Sequence, residues 1–234
     1  MIVQLLTFPR RVILFYLLFV VGFFLPLVSQ AQEWEIGAGL GGLNYKGDII
    51  AGLQPKFTRL SGNALIRYNA GRAVSFKLNL LIGKIMAEDR ESPDPFNVAR
   101  NRSFATSIVE LSPQFEYNFL NYRDEKTRQA WTPYVFVGLA GFTFNGEDNI
   151  NRDFKGTQVS IPFGLGLKFV LGRNWNLGLE FGARKTFTDN LDGLQGALVN
   201  NKLLNGNPNS KDMYFYTGLM ISYTFYSVHC PDFY

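Results

Sequence analysis

The sequence predicts an all-β protein, an eight-stranded antiparallel transmembrane barrel of the outer-membrane kind. Three observations predict it. Apolar residues alternate with small or polar ones, at period two, in segment after segment from Trp34 to Phe225. The segments run to roughly 10 to 16 residues, longer than most soluble strands and long enough for a tilted strand to cross a bilayer. Short turns alternate with long loops along the chain, the pattern of a barrel with its turns on the periplasmic rim.

Composition agrees. The 234 residues suffice for a closed barrel, and they carry 15% aromatics, 23 glycines and only 18% charged residues, below the usual quarter of a soluble domain. The formal charge of +4 is mild and no Lys/Arg run occurs, which argues against a nucleic-acid partner.

Residues 1–31 read as a cleaved secretory signal. Arg10 and Arg11 supply its positive region, Val12 to Val28 its apolar stretch, and Ser29-Gln30-Ala31 the small residues for cleavage before Gln32. The alternative is a permanent membrane helix, for which about 17 residues ending near Pro26 are marginal. No cysteine stands at the cut to carry a lipid anchor. Residues 32–226 are then the barrel and 227–234 a periplasmic tail, with no later run long enough for a transmembrane helix.

The strands follow in order. The first carries Trp34, Ile36, Ala38 and Leu40 on its apolar face, the second Leu60, Ala64, Ile66 and Tyr68, and the third Val74, Phe76, Leu78, Leu80 and Ile82. The fourth carries Val109, Leu111, Pro113, Phe115, Tyr117 and Phe119. The fifth, residues 132 to 145, is apolar on both faces, and Tyr134, Phe136, Phe142 and Phe144 are expected to point outward. The sixth and seventh form a hairpin, with Val159 to Phe169 and Trp175 to Phe181 alternating on either side of Leu171-Gly172-Arg173-Asn174. The eighth carries Met213, Phe215, Leu219, Ile221, Tyr223 and Phe225. Short turns are expected at 69–72 and 171–174, a medium one at 120–131, and long loops at 45–58, 86–103, 145–156 and 188–211. Pro113 and Pro162 each remove a ladder donor, so bulges or strand ends are expected there.

The apolar face must be the outside. A soluble sandwich would turn it inward and charge the other face, but here the other face holds Gly, Ser, Asn, Thr and Gln. Eight strands enclose a lumen just wide enough for side chains, and closure removes the sheet edges that lipid cannot hydrogen-bond. Trp34, Tyr68, Tyr117, Phe119, Tyr134, Trp175, Tyr223 and Phe225 are expected to form a periplasmic aromatic girdle. The same phase turns Glu35, Arg67, Lys77, Glu110, Glu116, Lys168, Glu180 and Arg184 inward, four acids and four bases. They read as an ion pathway or as a packed salt-bridge plug, and a narrow barrel favours the plug, because unpaired buried charge is costly.

Catalytic chemistry finds little support. Acyl transfer and proteolysis in such barrels usually need a histidine near the outer rim as general base. The one histidine, His229, stands in the tail. Glu88, Asp89, Glu91, Asp94, Glu147, Asp148, Asp189 and Asp192 invite a calcium reading, but no spacing matches an EF-hand loop and solvated loop charge is expected instead. No metal and no cofactor are expected. Cys230, the single cysteine, stands beside His229 in an oxidising compartment. These two are candidate partner contacts, through an intermolecular disulfide or as an unpaired thiol in a docked tail; two ligands are too few for a metal site.

Four local patterns carry a resemblance: Asn44-Tyr45-Lys46-Gly47-Asp48-Ile49 after the first strand, Arg184 to Asp192 after the seventh, Asp212 to Tyr216 opening the eighth, and Ile221 to Pro231 closing the chain. Over residues 33 to 231 the sequence resembles the PorG-like family of outer-membrane barrels of Bacteroidetes. The family pattern expects Tyr-Leu-Asp-Asp where this chain has Asn190-Leu191-Asp192-Gly193. The resemblance implies a non-enzymatic barrel in the cell outer membrane that anchors or assembles the type IX secretion and gliding apparatus. Its periplasmic face would meet the subunits of a secretion ring. A small porin-like or general structural outer-membrane protein is the alternative.

Overall fold

In the computed structural model, each alternating segment pairs with neighbours on both sides, and the wall closes on itself. The structure describes residues 33–47, 54–91, 95–122, 129–149, 153–187, 191 and 212–225, all within the compact unit Gln32–Ser227. The signal reading of residues 1–31, the tail at 227–234, and with it His229 and Cys230, lie outside them. The strands are β1 (Glu33–Lys46), β2 (Arg59–Asn69), β3 (Val74–Glu88), β4 (Ser103–Asn118), β5 (Trp131–Gly138), β6 (Ala140–Asp148), β7 (Asp153–Val170), β8 (Trp175–Thr186) and β9 (Met213–Phe225). All neighbours run antiparallel, and β9 returns to pair with β1. β5 and β6 both lie between β4 and β7 and form one stave broken at Leu139, so the ring has eight staves.

The register fixes the shape. Followed once round the ring, Glu33 leads through Asn69, Ser75, Glu116, Phe136, Gly164, Gly182 and Tyr216 to Leu43, a stagger of ten residues on β1. With ordinary strand spacing and rise, that stagger tilts the strands by about 40°.

The outer face is apolar. Ile36, Leu40, Leu60, Ile66, Leu78, Val109, Val137, Leu165 and Ile221 are all large and exposed. An aqueous protein seldom shows so continuous an apolar surface, whereas hydrocarbon solvates it. Trp34, Tyr68, Tyr117, Phe119, Trp175, Tyr223 and Phe225 ring the short-turn rim, with Trp34 against Tyr68 and Trp175 against Tyr223 at 5.1 and 5.2 Å between ring centres. Tyr134 is not in this girdle. It is buried in the lumen, and Trp131 occupies the girdle position on its strand.

The same correction holds for the whole fifth stave. Tyr134, Phe136, Phe142 and Phe144 point inward and are at most 4% exposed, while Val135, Val137 and Leu139 face outward. The cause lies on the neighbouring strands. Gly166 and Gly164 stand opposite Tyr134 and Phe136, and a Cβ on Gly166 or Gly182 would fall 2.5 or 2.6 Å from those rings. Large residues on one stave fill the space that glycines leave on the next.

Pro113 and Pro162 mark neither bulges nor the ends of their own strands. The register is continuous through both. They flank the stave between them instead: the Leu139 N–H donates to the Pro113 carbonyl at 3.1 Å, and Gly138 faces Pro162 across the other ladder. Neither proline can donate back, and the stave breaks at Leu139. The long loop expected at 145–156 is also absent. β6 and β7 continue to the pair Glu147–Asp153, where polar outward residues mark wall beyond the apolar band. A 3-10 turn (Pro55–Phe57), another (Asp89–Glu91) and a six-residue helix (Pro95–Arg100) lie in the long-loop connections. None of the described helices is long and apolar enough to cross a membrane.

Candidate functional site

The lumen has two levels. On the level nearer the short turns, β1, β2, β3, β4, β7 and β8 each contribute an inward charge. All eight predicted residues (Glu35, Arg67, Lys77, Glu110, Glu116, Lys168, Glu180 and Arg184) are at most 2% exposed. The inward phase follows from alternation, since all but Arg184 sit between outward apolar neighbours.

Glu116 is the hub. It meets Arg67 Nε at 2.8 Å, Lys77 Nζ at 3.0 Å and Lys168 Nζ at 2.6 Å. Arg67 also holds Glu35, and Lys77 reaches Glu180 at 2.5 Å, so signs alternate across the lumen from β1 to β8. Neutral groups add further hydrogen bonds to the network. Ser222 donates to Glu35, Tyr134 donates to Glu180 Oε2 at 2.9 Å, and Lys168 donates to Asn118 Oδ1 at 2.9 Å. The inward rings serve the cations too, with Lys168 Nζ 4.5 Å from the centre of Tyr134 and Lys77 Nζ 4.8 Å from that of Phe136. Arg184 links the levels loosely. It stands 3.8 Å from Glu180 and 3.7 Å from Glu110, donates Nη1 to the Gly182 carbonyl at 3.0 Å, and lies 5.2 Å from the Tyr216 ring. Glu110 in turn accepts from Tyr214.

Above Arg184 the lumen is apolar, where sequence reasoning expected small and polar residues. Leu43, Leu81, Ile85, Ile108, Phe142 and Phe144 pack there with Tyr45, Tyr214 and Tyr216. Leu191, from the connection before β9, is fully buried in this cluster. Its N–H donates to Asp212 Oδ2 at 3.0 Å and its carbonyl accepts from Thr106 Oγ1 at 2.9 Å. Asp212 also accepts from the Tyr45 hydroxyl at 2.6 Å. The Tyr45-x-Gly47 motif thereby gains a reason, because a Cβ on Gly47 would fall on the Tyr45 hydroxyl and on Asp212.

The described acidic loop residues do not assemble a cation site. Among the described residues no group of three or more His, Cys, Asp or Glu could hold a metal. Asp89 and Asp148 are buried rather than solvated. Both bind Arg102, Asp89 by accepting its backbone N–H at 2.9 Å and Asp148 by an ion pair at 2.6 Å. They clamp the β3–β4 connection to the end of β6. Glu88 and Glu147 sit at strand ends on that rim, with Glu91 beside the clamp; Asp94, Asp189 and Asp192 lie outside the described residues.

A family model described as "Domain of unknown function (DUF6089)" matches residues 11–232. No curated protein matches in sequence. Among solved structures, the crystal structure of Neisserial surface protein A is similar at 10% identity and a TM-score of 0.51, over 82% of this chain and 97% of that one. Ail, the attachment invasion locus protein of Yersinia pestis, is similar at 13% identity and 0.48, over 84% and 100%. A major outer membrane protein from Thermus thermophilus is similar at 14% identity and 0.48, over 84% and 100%. The first likeness shows the fold, the eight-stranded barrel of outer-membrane proteins.

Proposed function

The chain belongs to the family described as a domain of unknown function (DUF6089), and we propose that it is a non-enzymatic structural barrel of the cell outer membrane. It anchors or assembles a protein-secretion apparatus of the type IX and gliding kind through its periplasmic face. The observation that carries the structural role is the filled lumen. Three acids and three bases cross-link six staves on one level, and an apolar plug closes the other. A passage for solutes would need both levels open, and catalysis would need a reactive group exposed to substrate; a packed lumen serves a wall whose work is done at its rims. The apolar outer band supports the outer-membrane location, with lipid as its first partner.

The secretion role rests on the resemblance of the Tyr45-x-Gly47-Asp48 and Asp212–Tyr216 motifs to PorG-like barrels. Its test is crosslinking in cells from photoreactive residues at Arg72 and Arg173 on the short-turn rim, with secreted proteins assayed after deletion of the gene. The proposal expects covalent adducts to periplasmic ring subunits, a shifted band on a non-reducing gel that Cys230→Ser removes, and loss of secretion. Intact secretion with no adduct would leave the general structural reading in its place.

A further inference from the structure

Above the apolar band, on the long-loop side, four of five adjacent staves, β8, β1, β2 and β3, carry an exposed basic residue. Lys46 on β1 and Lys185 on β8 flank Met213 of β9 in one register row. Lys84 faces outward on β3 just beyond the pair Ser61–Gly83, and Arg59 opens β2 opposite Leu43, on the inward phase but exposed at the end of the strand. All four are exposed, and none forms an ion pair with a described residue; Arg59 Nε donates to Met86 Sδ on β3. The nearest outward acid on these staves is Glu88, two outward positions beyond Lys84 on β3. On β6 and β7 the rim is mixed, with the acids Glu147 and Asp153 paired across the ladder and Lys155 one outward position below Asp153. Immediately below the basic groups the wall is apolar: Leu60 is 78% exposed, Ile82 52% and Phe215 partly so.

We propose that this collar binds the phosphate groups of anionic lipids in the outer leaflet. The inference rests on the outer-membrane reading above, which puts the long-loop rim at that leaflet. Phosphates and acyl chains have the vertical order of the wall, with charge above and hydrocarbon beneath. Lys46 and Lys185 are two strands apart, about 10 Å at ordinary spacing, so that one multiply phosphorylated head group can bridge them across Met213. Basic residues at a membrane surface each contribute about fivefold to attraction for anionic lipid. One face of the barrel is thereby given a fixed lipid annulus, and the β6–β7 face is left free of it.

The test uses the protein purified from membranes in a neutral detergent, with diphosphoryl lipid A as the probe and native mass spectrometry as the readout. K46Q/K185Q and R59Q/K84Q each lower lipid retention about tenfold or more, and the quadruple variant brings it to that of a dephosphorylated lipid. Replacement of Arg72 and Arg173 by Gln at the opposite rim leaves it unchanged, and so does orthophosphate in excess. Retention by the quadruple variant equal to wild type overturns the proposal, as does displacement of the lipid by orthophosphate. Heat-modifiable gel migration reports the barrel separately, so its loss counts against the membrane reading rather than the collar. The two double variants decide the matter should the quadruple variant not fold.

Discussion

The Tyr45 hydroxyl donates to Asp212 Oδ1 at 2.6 Å, joining positions 167 residues apart at the mouth of the barrel. The same carboxylate receives the Leu191 N–H, so one acid ties the end of β1, the start of β9 and the connection before it. Tyr45→Phe removes a buried donor and leaves the ring. It should cost about 1–3 kcal/mol, read as a lower urea midpoint in lipid vesicles.

Leu191→Ala withdraws the side chain that closes the apolar level. The expected loss is about 2 kcal/mol or somewhat more. Limited proteolysis should then cut between β8 and β9 faster than in wild type while the remaining barrel stays resistant. Unchanged cleavage would mean that Leu191 is not a latch.

Glu116→Gln removes the hub of three cations. Arg67, Lys77 and Lys168 would stay buried with less compensation, and a loss of about 3–5 kcal/mol is expected. In a double-mutant cycle Arg67→Met with Glu116→Leu should show coupling of at least about 1 kcal/mol. Additive single effects would contradict a connected network.

Gly182→Ala places a methyl 2.6 Å from the Phe136 ring and 2.8 Å from Arg184 Nη1. It should destabilise by about 1–3 kcal/mol. Phe136→Leu in the same chain should recover much of that loss, because the clash is chiefly with the end of the ring. Failure of the second change to compensate would place Phe136 on the other face.

Reconstituted into planar bilayers, the protein should give no steady conductance, since both lumen levels are filled. Stable open steps would revive the ion-pathway reading of the eight lumen charges.

Strand number, closure and the inward charges were legible because alternation is a local property that the bilayer enforces on every stave. Glu35 and Glu116 each sit between outward apolar neighbours, and the period alone assigns their face. The fifth stave was not legible, because Tyr134 and Phe136 alternate with Val135 and Val137 and either face could be the apolar one. What decided it was steric, the room left by Gly164, Gly166 and Gly182 on strands far along the chain. Leu191 was missed for a similar reason, since it is one of several leucines in a connection without strand alternation, and no period singles it out. Asp212 and Tyr45 appeared in quoted motifs, yet only the closure of β9 on β1 shows that they belong together.

The central claim is that lipid bathes one set of alternate side chains while the other fills a sealed lumen, and the fifth stave tests it most directly. Nitroxide labels placed singly from Trp131 to Ala140, in a Cys230→Ser background and in vesicles, report oxygen accessibility. The account predicts high accessibility at Val135, Val137 and Leu139 and low accessibility at Tyr134, Phe136 and Ala140. Accessible labels at Tyr134 and Phe136, or no alternation at all, would contradict it.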